Sequence, residues 1–228
     1  MKLKPIKVLF LPVLLLLLAA ESVSAKWPPE NVTIRCANAE NRIALTFDDG
    51  PNAKQTGEIL DILKQYGVRA TFFVVGENAE KNPDLIRRIV EEGHEIGCHT
   101  YSHPKMEEAD AEKVKKEILS TEAILAEIGG IRPTFFRPPC GYCGGDVVKT
   151  ANALGYSVVL WSVDTRDWAH TPVEEIVSNV TENTHSGDII LCHDFVGKGT
   201  NTPSALRRFL PVLLDKGFSF VSVSELIS

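Results

Sequence analysis

Two carboxylates stand side by side at Asp48-Asp49, directly after the apolar run 43–47 and before Gly50-Pro51. Adjacent acids repel each other, and an Asp-Gly-Pro turn needs only the second of them. A division of labour accounts for the pair: one ligates a metal and the other works as a base. Further along, His99-Thr-Tyr-Ser-His103 has i, i+4 spacing. On a helical turn that spacing puts both imidazoles on one face, where they can share a metal. With Asp49 they form a two-histidine, one-carboxylate set, which leaves positions open for water and substrate. No His-Glu-x-x-His occurs, so the zinc-protease arrangement is absent.

Other polar residues fall at comparable places: Arg137, then Asp164, Asp167 and Trp168, then His193-Asp194. Their positioning elements can be read from periodicity. Short β-type runs cover residues 43–47, 70–75, 95–98, 134–136, 157–163, 188–192 and 218–223. Between them the spacing is helical. Ile59, Ile62, Leu63 and Tyr66 share one face before Gly67, and Leu85, Ile86, Ile89 and Val90 share another after Asn82-Pro83, with Gly93 as the stop. A longer helix carries Val114, Ile118, Ala123, Leu125 and Ile128 and ends at Gly129-Gly130; shorter ones cover 147–154, 173–180 and 204–215. This alternation predicts a single α/β domain built on a mainly parallel sheet. Periodicity alone leaves an open sheet and a closed barrel both possible. Each polar set lies just beyond the C-terminal end of a run, the edge where parallel α/β folds bind ligands. Neither G-x-G-x-x-G nor G-x-x-x-x-G-K follows any run, so nucleotide binding has no support.

The 228 residues have the composition of a globular protein, with 44% hydrophobic and 24% charged residues. The first 25 read differently. Lys2, Lys4 and Lys7 precede an apolar stretch over 8–20, and Val23-Ser24-Ala25 resembles a cleavage site, so a secretory signal peptide is expected over 1–25. Its removal leaves 203 residues with 21 basic and 29 acidic side chains, a net charge of −8. Such a chain offers no electrostatic footprint for nucleic acid. The apolar stretch is short for a span, so no stable membrane anchor is expected after cleavage. Residues 26–41 read as an extended lead-in and 42–228 as the domain. The five cysteines include Cys140-Gly-Tyr-Cys143. With no second C-x-x-C and no thioredoxin-type helix after it, a local disulfide or two plain thiols are favoured over redox catalysis.

Thr46-Phe-Asp-Asp-Gly-Pro51, His99-Thr-x-x-His103, Arg137-Pro-Pro139, Asp167-Trp168 and Ile189-x-Leu-x-His193 resemble, in order, the five motifs of the polysaccharide deacetylases. These are carbohydrate esterase family 4, the NodB-homology domain. The resemblance runs from about Ile43 to the C-terminus and implies a distorted, incomplete (β/α)7 barrel. It implies that Asp49, His99 and His103 hold a divalent metal, Zn2+ or Co2+. It also implies that Asp48 is the base, kept as the carboxylate by Arg137, and that His193 is the acid, held by Asp167. Leu191 and Trp168 would line a pocket for the acetyl methyl group. Where the family usually has Tyr after Arg-Pro-Pro, this chain has Cys140. The family's backbone N–H there helps stabilise the oxyanion and survives the change; the side-chain wall is lost, and Tyr142 is expected to replace part of it. Cys98 and Cys192, each preceding a motif histidine, are expected to fill core positions.

The expected activity is that of a secreted, metal-dependent hydrolase removing N-acetyl groups from a β-linked amino-sugar polymer. Peptidoglycan N-acetylglucosamine comes first, then chitin or chitooligosaccharide, and an O-acetyl ester on xylan third. Alternatives from other classes are a non-catalytic glycan-binding protein and a thiol oxidoreductase built on Cys140 and Cys143. A monomer is expected.

Overall fold

The computed structural model describes residues 29–197 and 199–228. The expected signal peptide and the start of the lead-in lie outside the described residues. Nine strands form one sheet: β1 (Val32–Thr33), β2 (Arg42–Asp48), β3 (Thr71–Val74), β4 (Glu95–Cys98), β5 (Phe135–Phe136), β6 (Ser157–Val159), β7 (Val163–Asp164), β8 (Ile189–His193) and β9 (Ser219–Val221). Eight α-helices pack outside it: α1 (Gln55–Tyr66), α2 (Gly76–Lys81), α3 (Pro83–Glu91), α4 (Ala111–Gly129), α5 (Val147–Ala153), α6 (Val173–Asn183), α7 (Thr202–Asp215) and α8 (Val223–Ile227).

Strand order is β1-β6-β5-β4-β3-β2-β8-β7, with β9 also pairing β2, and every ladder is parallel. This order forces curvature. In a flat sheet, six spacings of about 4.8 Å would put β6 and β7 about 29 Å apart. Only Leu160, Trp161 and Ser162 join them, a link that reaches about 14 Å from Val159 to Val163 even when fully extended. The sheet therefore curls into the distorted half-barrel that the motifs imply, with its seam between β6 and β7.

Side-chain alternation sorts the core. On β2, Ile43, Leu45 and Phe47 face outward into the main cluster with Ile59, Leu63, Phe209 and Leu213 from α1 and α7. Ala44 faces the interior with Phe73, Phe135, Val159 and Ile189. Gly97 on β4 is required by this interior, because a Cβ there would stand 2.5 Å from the Phe73 ring. Helix ends follow the expected stops: Gly67 and Gly130 take left-handed conformations after α1 and α4.

Four features depart from the sequence reading. The lead-in contributes β1, which pairs with the edge of β6. The run 157–163 divides into β6 and β7, because its middle crosses the barrel seam. The short helices α2 and α8 carry too few apolar residues to show a period. Finally, residues 99–103 form no helical turn: Thr100 (φ 69°) and His103 (φ 51°) are left-handed, and the two histidines meet through a tight loop.

Candidate active site

The same alternation that buries Phe47 turns Thr46 and Asp48 into the barrel. Arg137, the residue after β5, enters from the opposite wall and is fully buried. Its guanidinium donates to Asp48 Oδ1 at 2.7 Å and Thr46 Oγ1 at 2.8 Å, and to the carbonyls of Val159 and Leu160 at 3.1 and 2.8 Å. It also lies 4.0 Å above the Phe73 ring centroid. Thus Arg137 supplies both the counter-charge of Asp48 and hydrogen-bond donors for the seam carbonyls, which β7 leaves unpaired at that edge.

Asp49 is the first residue past β2 and has a left-handed backbone, φ 79°. Asn78 on α2 donates to its carbonyl at 2.7 Å. His99 Nδ1 faces the Arg137 carbonyl at 2.6 Å, which directs Nε2 toward Asp49. Asp49 Oδ1 stands 3.4 Å from His99 Nε2 and 3.3 Å from His103 Nε2. It is buried, yet none of these contacts closes as a hydrogen bond. An orphaned carboxylate oxygen between two imidazole nitrogens is poor design for an apolar interior and good design for a cation. Among the described residues, Asp49, His99 and His103 are the group of three whose ligand atoms lie within 4.8 Å of one another. The donor set fits a divalent metal with open positions. Burial acts to raise the Asp49 carboxyl, but the His99 contact, with the charges of His193 and His103, holds it below its ordinary value.

Across the opening, β8 runs beside β2 in register, pairing Asp48 with His193 and Thr46 with Leu191. His193 Nδ1 lies 2.7 Å from Asp167 Oδ1, leaving Nε2 for the cleft. Asp167 is itself fixed: it accepts from the backbone N–H of His193 at 2.8 Å and of Trp168 at 2.9 Å, and from the Thr202 hydroxyl. Burial works against the imidazolium, but the bond and charge of Asp167 win and lift His193 to about 9. Asp194 follows, fully buried, accepting from Gly50 N at 2.9 Å and Thr56 Oγ1 at 2.6 Å. Burial pushes its carboxyl up to about 7.

Trp168 is half exposed and lines a cleft of about 600 Å3 with Asp49, His103, Asn78 and Phe195. Leu191 is buried on β8, in register with Thr46. Cys140 is exposed, left-handed at φ 55°, and shares an adjoining depression of about 460 Å3 with His103, Pro104 and Met106. Tyr142 packs instead against the outer cluster of Met106, Val114 and Phe136, with its hydroxyl over Gly144. All five cysteines are free thiols. Cys98 and Cys192 are fully buried, as expected of core residues, and burial pushes the Cys98 thiol up to about 12.

Asp48, Asp49, His99, His103, Arg137, Asp167, Trp168, Leu191 and His193 therefore converge on one opening. Sequence reasoning missed the residues that brace them. Thr202 opens α7, and Glu117 lies mid-helix in α4, where a glutamate reads as solvent-facing. Asp194 was visible beside His193 but carried no distinguishing signal.

The family model for polysaccharide deacetylase matches residues 36–159. The chain is 44% identical over 202 residues to a peptidoglycan-N-acetylglucosamine deacetylase of Bacillus cereus, covering 88% of this chain and 94% of that protein. The crystal structure of the Bc1960 peptidoglycan N-acetylglucosamine deacetylase superposes with a TM-score of 0.82 at 40% identity, covering 86% of this chain and 92% of that one. A family 4 acetyl xylan esterase from Clostridium thermocellum, solved with a cobalt ion, gives a TM-score of 0.76 at 35% identity, covering 81% and 89%. The chain belongs to the polysaccharide deacetylase family, carbohydrate esterase family 4.

Proposed function

We propose that this protein is an exported, metal-dependent hydrolase that removes the acetyl group from N-acetylglucosamine residues of peptidoglycan. The observation that carries the chemistry is the orphaned Asp49 Oδ1 between His99 and His103, with the buried Asp48–Arg137 pair on one side and the His193–Asp167 pair on the other. The choice of polymer is supported by the relatives at 44% and 40% identity, both peptidoglycan N-acetylglucosamine deacetylases. Such a substrate lies outside the cytoplasm, which agrees with a leader over residues 1–25. Among the described residues, no helix is long and apolar enough to cross a membrane.

A zinc or cobalt ion held by Asp49, His99 and His103 would polarise the acetyl carbonyl and make the attacking water more acidic. Asp48 takes the proton of that water; Arg137 binds its Oδ1 at 2.7 Å and leaves Oδ2 on the His99 side, 3.9 Å from Nε2. The backbone N–H of Cys140 stabilises charge on the acetyl oxygen as the carbon becomes tetrahedral. His193 delivers a proton from Nε2 to the departing nitrogen, since an amide anion is too basic to leave alone. Asp167 holds Nδ1–H and keeps the ring in the orientation and charge state that transfer requires. Trp168 and Leu191 enclose the acetyl methyl group.

The test is a time course of acetate release from peptidoglycan, chitohexaose and acetylxylan. Release from peptidoglycan is expected to vanish after chelation, return with zinc or cobalt, and fall by about 10²–10⁴ in Asp48→Asn. Release from acetylxylan alone, or activity insensitive to chelator, would overturn the reading.

A further inference from the structure

The two metal-site histidines are secured in different ways. His99 directly follows the buried strand β4, with its ring fixed by the Arg137 carbonyl. The His103 side chain is 39% exposed, and its Nε2 faces Asp49 Oδ1 at 3.3 Å. Its place depends on the backbone of residues 100–102, which turns through left-handed Thr100 to left-handed His103.

The polar groups of that loop are bound from two sides. From α2, Gly76 N donates to Thr100 O at 3.0 Å and Glu77 N to Tyr101 O at 2.9 Å. Gly76 is needed for this approach, because a Cβ would stand 2.5 Å from the Tyr101 ring. From α4, Glu117 takes three further donors of the loop. Its Oε2 accepts from Tyr101 N at 2.9 Å and Ser102 N at 2.8 Å, and its Oε1 accepts from Ser102 Oγ at 2.9 Å. Thr100 Oγ1 then accepts from His103 N at 3.1 Å and closes the loop. Glu117 is 8% exposed. A buried carboxylate in mid-helix is costly unless its bonds matter, and here both oxygens are occupied by the segment between the two imidazoles.

We infer that Glu117 is a positioning residue that sets the separation of His99 and His103 and thereby the affinity of the site for its divalent cation. This rests on the reading that Asp49, His99 and His103 hold such a cation. The device is reach rather than charge. A glutamine at 117 can accept both N–H groups at its oxygen, while its NH2 donates to the Ser102 hydroxyl. An aspartate keeps the charge but is one methylene too short to hold all three donors.

The test compares wild type, Glu117→Gln and Glu117→Asp in the full chain. Zinc affinity is measured by competition with a fluorescent chelator, and the cobalt-loaded proteins are compared by visible absorption. Thermal unfolding of the metal-free forms is the control for folding. Glu117→Asp is expected to bind zinc about 10- to 100-fold more weakly, with an altered cobalt spectrum, and Glu117→Gln to stay within about fivefold of wild type. The reverse order would assign the effect to charge and overturn the proposal. Equal zinc affinities, with only the unfolding temperature changed, would reduce Glu117 to a structural residue and overturn it too. Failure of wild type to bind zinc or cobalt would instead overturn the metal reading itself.

Discussion

Arg137 Nη1 and Asp48 Oδ1 meet at 2.7 Å inside the barrel, and solvent reaches almost nothing of either side chain. Removing one member of a buried pair strands the other, which costs more than the pair contributes. Arg137→Met is therefore expected to lower unfolding free energy by about 3–5 kcal/mol, read from urea denaturation. Adding Asp48→Asn should recover part of that loss, because the stranded charge is gone. A double variant no more stable than Arg137→Met would place the cost in the seam carbonyls of Val159 and Leu160 instead.

The acid role proposed for His193 predicts an alkaline limit. The group must be protonated to act, so kcat should persist through neutral pH and fall as pH rises through His193's value. That value is about 9 in the metal-free protein, and a nearby cation draws it lower. Asp167→Asn removes the bond and charge that raise it and leaves burial, which lowers it. The alkaline limb should then move to lower pH, with kcat falling more than KM rises. A limb at the wild-type position would exclude His193 as its source.

A second histidine governs stability in acid. His94 is buried, accepts the Ala70 N–H at Nδ1 (3.2 Å) and sits edge-on to Phe72. Burial holds it down at about 4, from an ordinary 6.5. The folded state thus resists a proton that the unfolded chain accepts readily. Its contribution is complete above about 6.5 and is lost as pH falls toward about 4, on the order of 3 kcal/mol. His94→Gln keeps an acceptor for Ala70 but does not titrate. Its urea midpoint should decline less over this window than that of wild type.

Cys140 occupies a left-handed position without being glycine, so the backbone there already tolerates a side chain. Cys140→Tyr would stand a ring at the rim of the depression beside His103. We expect KM for a long glycan to change by about two- to tenfold with kcat nearly constant, as for a contact equally present in ground and transition states. Equal effects on a monosaccharide-length substrate would argue against a groove wall.

Most of the site was legible in the sequence because its residues break local rules. Paired acids, an arginine before two prolines and histidines at strand ends are poor choices for ordinary loops. The helices were legible wherever four or more apolar residues kept a period, as in α1, α3 and α4. What escaped depends on partners distant in sequence. β1 exists only because β6 offers it an edge, and the run 157–163 breaks only because the seam must be crossed. Glu117 and Thr202 obey local helix grammar, and only their contacts with Ser102 and Asp167 set them apart. The i, i+4 histidines carried a true signal with the wrong geometry: they converge through a left-handed loop held from outside.

The central strand β2 pairs with β3, which follows it closely, and also with β8 and β9 from the far end of the chain. During synthesis Asp48 therefore waits for Arg137, 89 residues later, and then for β8 to bring His193 alongside. Few of its contacts are local, so folding is expected to be slow and to wait on the C-terminus. No early half of the chain holds the complete site: Asp48, Arg137 and His193 come together only once β8 has joined β2.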